Sequence, residues 1–236
     1  MDENKYSESI SKWYDRIMKA GYYDHDSIAA SLARILRAKK KILELGIGTG
    51  LLAEKMTARG YEISGVDFTK SMLDIARKRL GNKVKLYEQN VIRLNLPEQY
   101  EAAISEGGIW PVTRDKEGRI FLESHIPDLK QNIIGMKNVA KCLANKGLLL
   151  LGIQPVHADL DGLDLGEGAV YSQKVKYDLP WIDKEYFVKQ NGKTVAYQQC
   201  RFRRFTDDEK KRIMAEAGFT EKGCDKSNQF LIFEKA

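Results

Sequence analysis

Gly46, Gly48 and Gly50 follow a short apolar run and open what reads as a helix, with Glu44 directly before them. Glycine lets a turn adopt positive φ and leaves no Cβ between backbone and ligand. A helix beginning there also offers free amides to polar or negative ligand groups. A second acid, Asp67, ends the segment Gly65-Val66-Asp67. Its carboxylate is a pure two-oxygen acceptor, suited to both hydroxyls of a ribose. A dinucleotide fingerprint would place its third glycine one residue later, where this chain has Leu51. The spacing therefore favours a nucleoside over a pyrophosphate.

Such a turn must sit between a strand and a helix, and the chain supplies both. Residues 42–45 read as a strand and residues 51–58 as a helix. Strands are expected at 61–66, 84–87, 100–104 and 148–153, with helices over about 71–80 and 128–144. Repeated strand–helix units argue for a parallel α/β sheet with right-handed crossovers. The almost uniformly apolar run at 148–153 suits a strand covered on both faces. Residues 1–40 read as a helical cover broken at Gly21, with Ile10, Tyr14 and Ile17 on one stripe. Residues 170–205 alternate like antiparallel strands around an Asn191-Gly192 turn. The segment Thr206-Asp207-Asp208-Glu209 is a capping box for a last helix, and residues 230–233 form a last strand. The expectation is one α/β domain over 1–236, with the helical cover at 1–40 and an inserted antiparallel lid at 154–205.

The chain has 236 residues, 43% of them hydrophobic, which suffices for a substantial core without metal or disulfide. Its three cysteines, Cys142, Cys200 and Cys224, have no metal-ligand spacing and suit reduced thiols. Met1-Asp2-Glu3-Asn4-Lys5 is not a secretory leader, and the longest purely apolar run, 148–151, cannot span a bilayer, so the expected location is cytoplasmic. The net charge of +6 comes from scattered basic residues and does not by itself imply nucleic acid. The acidic stretch 159–167 lacks the glycine and glutamate positions of a calcium loop and reads as a solvated loop. No metal site is expected.

Glu44-Leu45-Gly46-Ile47-Gly48-Thr49-Gly50, followed by Asp67-Phe68-Thr69-Lys70-Ser71-Met72-Leu73, resembles the first two motifs of class I, Rossmann-like, S-adenosylmethionine-dependent methyltransferases. The likeness runs from Lys41 to the final strand. It implies a seven-stranded mostly parallel sheet in the order 3-2-1-4-5-7-6, the last strand antiparallel. It implies S-adenosylmethionine as cofactor and S-adenosylhomocysteine as product. The cofactor-binding residues would be Tyr14, Glu44, Gly46, Ile47, Gly48, Gly50, Asp67, Phe68, Met72, Asn90, Val91 and Glu106. Within that set Asp67 would hold the ribose, while Phe68 and Met72 would flank the adenine. The family's third motif usually supplies Asp to the adenine amino group, and this chain has Gln89-Asn90-Val91. Asn90 can still accept that bond through its amide oxygen.

Ligands of open α/β sheets lie beyond the carboxyl ends of the strands. The acceptor is therefore expected near Ser105-Glu106-Gly107-Gly108-Ile109-Trp110. That stretch lacks the Pro-Pro-aromatic pattern of base-amino methyltransferases and the Asp ligand of metal-dependent catechol enzymes. Glu106 with Glu117 matches the paired glutamates of protein arginine methyltransferases poorly. The N-terminal Trp13-Tyr14-Asp15 and Gly21-Tyr22-Tyr23-Asp24, with the insertion, resemble the lid of small-molecule methyltransferases, including amino-sugar N-methyltransferases. Tyr14 would then reach cofactor or acceptor. Of the three histidines, His157 is the first choice as base, ahead of His125 and His25, and Glu106 would face a cationic group. The reading is methyl transfer to N or O of a small-molecule acceptor. An RNA or protein methyltransferase stands as the alternative, on Arg201-Phe202-Arg203-Arg204. A cofactor-binding protein without transferase activity is the other.

Overall fold

A computed structural model describes residues 5–236, with Tyr22 described by its backbone alone; the opening segment from Met1 to Asn4 lies outside the described residues. In chain order the elements are α1 (Glu8–Ile17), α2 (His25–Leu36), β1 (Lys41–Leu45), α3 (Leu51–Ala58), β2 (Glu62–Asp67), α4 (Lys70–Leu80), β3 (Lys85–Glu88) and β4 (Tyr100–Ser105). There follow β5 (Val112–Arg114), β6 (Ile120–Ser124), α5 (Leu129–Cys142), β7 (Leu143–Pro155), β8 (Leu160–Gly166) and β9 (Ala169–Asp178). The last elements are β10 (Trp181–Gln190), β11 (Lys193–Arg204), α6 (Asp207–Glu216), β12 (Phe219–Cys224) and β13 (Phe230–Lys235).

The central sheet runs β3-β2-β1-β4-β7-β13-β12. Strands β3 to β7 are parallel, and β13 lies antiparallel between β7 and β12. This is the order expected from the motifs, with β7, β12 and β13 as the fifth, sixth and seventh strands. Apolar residues cover both faces, as a parallel sheet requires. One core lies against α5 and α6, around Trp110, Met136, Val139, Ile213 and Phe233. The other lies under α2, α3 and α4, around Leu32, Leu52, Leu73 and Ala76. The capping box starts α6 as expected: Thr206 accepts the Glu209 amide at 3.2 Å and Glu209 accepts the Thr206 amide at 3.1 Å.

Two segments differ from the sequence reading. Residues 112–124 form the hairpin β5–β6, which sequence patterning does not reveal, because β5 has only three residues. β5 pairs in parallel with the end of β7, and β6 pairs with the end of β11 at Arg203 and Arg204. The hairpin thus carries the central sheet into the second, antiparallel sheet β11-β10-β9-β8. The acidic stretch expected as a loop contains β8, the outer strand of that sheet. Asp161 and Asp164 leave it a charged edge that resists further pairing.

A third core joins the inner face of this second sheet to α1, through Ile10, Ile17, Tyr171, Ile182, Val188 and Phe202. The two N-terminal helices are separated by a π-type turn, Met18–Tyr22, where Gly21 takes φ 107°. α1 therefore lies across the carboxyl edge of the parallel sheet with the antiparallel sheet on its other side.

Candidate functional site

The glycine turn is held to the edge of β2 by backbone bonds. The Gly46 and Ile47 amides donate to the Val66 carbonyl at 2.8 and 3.1 Å. Gly46, Gly48 and Gly50 all have positive φ. At Gly46 a Cβ would lie 3.1 Å from Gly108 Cα, so this glycine admits the loop after β4. Asp67 closes the turn: one carboxylate oxygen accepts the Gly48 amide at 3.0 Å and the other the Thr69 amide at 2.8 Å. Each oxygen retains acceptor capacity toward a ligand hydroxyl. Burial raises the Asp67 pKa, and its backbone bonds oppose that rise.

Gly46, Gly48, Asp67, Phe68, Met72, Asn90, Val91 and Tyr14 line one crevice, which Gly107, Gly108, Ile109 and His125 also border. Asn90 accepts the Ile92 amide at 3.0 Å, so its oxygen is already oriented as the cap of a short 3-10 turn. Four residues expected here sit elsewhere: Ile47, Gly50, Glu44 and Glu106. The Ile47 side chain packs on Gly65, where a Cβ would overlap it, and is 4% exposed. Gly50 faces Leu80 and Ala76 of α4. Both shape the turn without bordering the crevice, since one packs on β2 and the other on α4.

Beneath one end of the crevice is a small recess bordered by Glu44, Glu106, Tyr14, Tyr23 and His25. Burial, with Glu106 and Asp67 nearby, pushes the Glu44 carboxyl up to about 8, and burial pushes Glu106 to about 8. Glu106 lies over Gly152, the one place on β7 where a side chain would collide with it. Both carboxyls therefore hold their protons near neutrality. Glu117, in contrast, is exposed on the β5–β6 turn and pairs with Arg119 at 3.3 Å.

α1 roofs this arrangement. Thr49 Oγ1 donates to Asp15 at 2.6 Å, Arg79 pairs with Asp15, and Arg79 Nε donates to the Thr49 carbonyl at 2.9 Å. Ser11 meets Ser71 at 2.8 Å. This latch sets Tyr14 over Gly48, the ring edge being 4.0 Å from where a Gly48 Cβ would lie. On its other side Arg16 donates to the Leu165 and Gly166 carbonyls at 2.7 and 3.0 Å.

A second chamber lies between α1, the loop after β4 and the antiparallel sheet. Aromatic side chains wall it, among them Tyr171, Tyr186 and Phe202, and its polar groups are His125, His157, Gln154 and Lys184. Tyr6, Tyr14, Gly107 and His125 border both cavities, so the two adjoin there. Tyr23 Oη donates to Gln154 beside this passage. Burial lowers the His125 pKa to about 3, keeping the ring neutral. His157 is also held neutral, chiefly by burial, but its nitrogens turn away from the passage. Its Nδ1 is 3.3 Å from Lys184 Nζ, and its Nε2 is 3.5 Å from Glu123. His125 thus stands at the passage that sequence reading had allotted first to His157.

Lys184 and Glu123 escape the sequence reading. The alternation Ile182, Lys184, Tyr186, Val188 puts a lysine on an otherwise apolar face, and that was the available signal. Glu123 had none, since its hairpin was not recognised. Trp110 is fully buried and donates to Asn132 at 2.8 Å, which anchors the loop after β4 rather than facing an acceptor. The arginine cluster is spent internally: Arg201 on Asp183 at 2.6 Å, Arg203 on Glu209 at 2.6 Å, and Arg204 on Glu123 at 2.7 Å. Phe202 points into the chamber.

Comparison with known proteins gives a consistent result. A family described as "Methyltransferase domain" matches residues 42–125. A ubiquinone biosynthesis O-methyltransferase of Azoarcus sp. (strain BH72) is 31% identical over 104 residues, which is 44% of this chain and 41% of that protein. The chain spans about two fifths of the length of the curated relatives it matches first. Among solved structures, an S-adenosylmethionine-dependent methyltransferase from Clostridium acetobutylicum ATCC 824 superimposes with a TM-score of 0.72 at 15% identity, over 96% of this chain and 98% of that one. An amino pentose methyltransferase from Micromonospora echinaspora involved in calicheamicin biosynthesis, solved with S-adenosylmethionine bound, gives 0.70 at 16% identity, over 94% and 96%. Among the described residues, no helix is long and apolar enough to cross a membrane, and no group of three His, Cys, Asp or Glu is placed for a metal ion.

Proposed function

Taking as premise that residues 42–125 are a methyltransferase domain on the class I fold, we propose that this protein transfers a methyl group from S-adenosylmethionine to a nitrogen or oxygen of a small molecule. The observation that carries the reading is the adjacency of crevice and chamber at Tyr6, Tyr14, Gly107 and His125. A donor in one cavity and an acceptor in the other would meet there and nowhere else among the described residues.

The crevice fits the donor. Asp67 would take the ribose hydroxyls, Phe68 and Met72 the faces of the adenine, and Glu44 with Glu106 the cationic methionine end. The cofactor supplies a methyl group on a positively charged sulfur, which an in-line nucleophile displaces. The residues of this chain supply alignment and exclusion of water, which for such a displacement matter more than covalent help. Tyr14, latched by Asp15, restricts the approach to the passage. His125, held neutral, can accept a hydrogen bond from an acceptor N–H or O–H and orient its lone pair.

Support for a small acceptor comes from the enclosure of the chamber by α1 and the inserted sheet. Sugar and amino-pentose methyltransferases among the structural neighbours point the same way. The arginines that motivated an RNA reading are paired within the protein. Incubation with methyl-labelled S-adenosylmethionine and a fractionated metabolite extract should label a low-molecular-weight product. Label confined to RNA or protein would overturn the proposal, and absence of S-adenosylhomocysteine formation with every fraction would leave a binding protein.

A further inference from the structure

Tyr23 stands where three cavities adjoin. It borders the chamber, the recess at Glu44 and Glu106, and a third cavity outside both, between the start of α2 and the segment that follows β7. No step of the proposed transfer uses that outer cavity. It shares Tyr23, Gln154 and His157 with the chamber, so the hydrogen bond from Tyr23 Oη to Gln154 forms part of the partition between them. The two spaces are unequal: about 50 Å3 in the chamber and about 460 Å3 in the outer cavity. A water molecule's share of the liquid is about 30 Å3, and a cavity of about 150 Å3 takes one benzene. The chamber therefore admits a reacting group and its nearest atoms, and the body of a metabolite needs space beyond it.

The partition is light. Its bond joins two uncharged side chains, which is a weaker tie than an ion pair or a charge-assisted bond. Tyr23 directly follows the π-type turn, where Gly21 takes φ 107° with open space around it. Gln154 is half-buried at the end of β7. Parting the two side chains moves no strand.

The lining of the outer cavity says what it would receive. Among the described residues that border it there are three acids, Asp24, Glu106 and Asp159, and no lysine or arginine. Asp24 Oδ1 caps α2 through the Asp26 and Ser27 amides at 3.1 Å, and Asp159 Oδ1 accepts the Val175 amide at 2.7 Å. Asp159 Oδ2 has only the exposed Lys174 beside it, at 3.7 Å. Such acceptors welcome hydroxyl or ammonium donors, and they repel a carboxylate or phosphate.

Resting on the methyltransferase reading, we infer that the acceptor outreaches the chamber, that its body lies in the outer cavity past Tyr23 and Gln154, and that this body carries hydroxyl or ammonium donors and no anionic group. Tyr23 is then a specificity-determining residue, giving way to a molecule long enough to part it from Gln154.

The test uses the full chain saturated with S-adenosylhomocysteine, whose own binding is first measured by calorimetry. Four phenols with tails of similar length are compared by ligand-detected NMR at neutral pH: 4-(2-aminoethyl)phenol, 4-(2-hydroxyethyl)phenol, 4-ethylphenol and 4-hydroxyphenylacetate. At least one donor-bearing tail is expected to bind about fivefold more tightly than 4-ethylphenol, the scale of one hydrogen bond, and the anion more weakly than 4-ethylphenol. The ammonium compound in the lead identifies an amine as the donor, and the alcohol in the lead identifies a hydroxyl. Ala158→Trp fills the outer cavity from an exposed position whose backbone bond to Gln173 does not depend on the side chain. The donor preference should vanish there with S-adenosylhomocysteine affinity unchanged. Tyr23→Phe removes the bond to be parted and should bind the preferred probe about threefold more tightly.

Equal binding of all four phenols, or binding of none, overturns the inference, as does an anion that matches the donor-bearing probes. A donor preference that survives Ala158→Trp overturns it too, and so does unchanged or weaker probe binding in Tyr23→Phe. Failure of S-adenosylhomocysteine to bind the unaltered protein would instead sink the methyltransferase reading itself.

Discussion

The crevice and the chamber are built on opposite principles. The crevice is made from the parallel sheet, by backbone that glycines bring close and by three carboxyls, Glu44, Asp67 and Glu106. The chamber is made from the inserted sheet and α1, by rings and basic side chains. One half presents carboxyls, two of them protonated near neutrality, and the other presents rings, two neutral histidines and a lysine. The matched stretch, residues 42–125, contains the glycine turn and Asp67, whereas the inserted sheet that walls the chamber lies outside it.

Three measurements would break or sharpen this contrast. The largest effect is expected from Asp67→Ala, which removes the carboxylate shared by the turn and the ligand. S-adenosylhomocysteine affinity should fall about a hundredfold by calorimetry, the scale of two hydrogen bonds to a charged group, with probe binding in the chamber far less affected. Equal loss in both cavities would mean that they are not separate structures.

The next effect is of pH. Glu44 and Glu106, raised to about 8, hold their protons near neutrality in the free protein. A cationic ligand favours their ionised forms, so binding releases protons and affinity should rise about tenfold between pH 6 and pH 7. Glu106→Gln should flatten that slope. For stability the sign is opposite: folded pKa values above the ordinary carboxylate range give stability that is lost as pH rises toward 8. The melting temperature of the free protein should therefore fall over that range and recover with ligand. An affinity that declines with pH would show that these carboxyls do not face the cation.

The smallest effect concerns the roof. Asp15→Ala cuts the latch to Thr49 and Arg79 while leaving the crevice lining untouched. S-adenosylhomocysteine should bind about fivefold more weakly, mostly through faster dissociation by stopped-flow. An unchanged dissociation rate would remove α1 from the site.

How much of this was legible in the sequence follows the same division. The parallel sheet was readable because short apolar runs alternate with helices that carry their own apolar stripe. Its glycines and acids sit within two short stretches. The chamber depends on long-range pairing. Lys184 reaches His157 across 27 residues and Arg204 reaches Glu123 across 81, and no local pattern encodes either. β5 is too short to show a period, and the charges of β8 resemble a loop because an edge strand is half solvated. His157 was singled out for lying just beyond a strand end, which places the backbone but not the ring. Its neighbours on two other strands decide where the nitrogens point.

α1 touches both cavities through consecutive residues, Tyr14 on the passage, Asp15 on the glycine turn and Arg16 on the inserted sheet. A helix so placed cannot let one occupant out without disturbing the other. Swinging it aside also exposes Ile10, Ile17 and Met18 to water, at several kcal/mol by the usual ~25 cal/mol per Å2 of apolar surface. On the proposed methyl transfer, turnover is expected to track the opening of this ten-residue helix and to slow in viscous solvent.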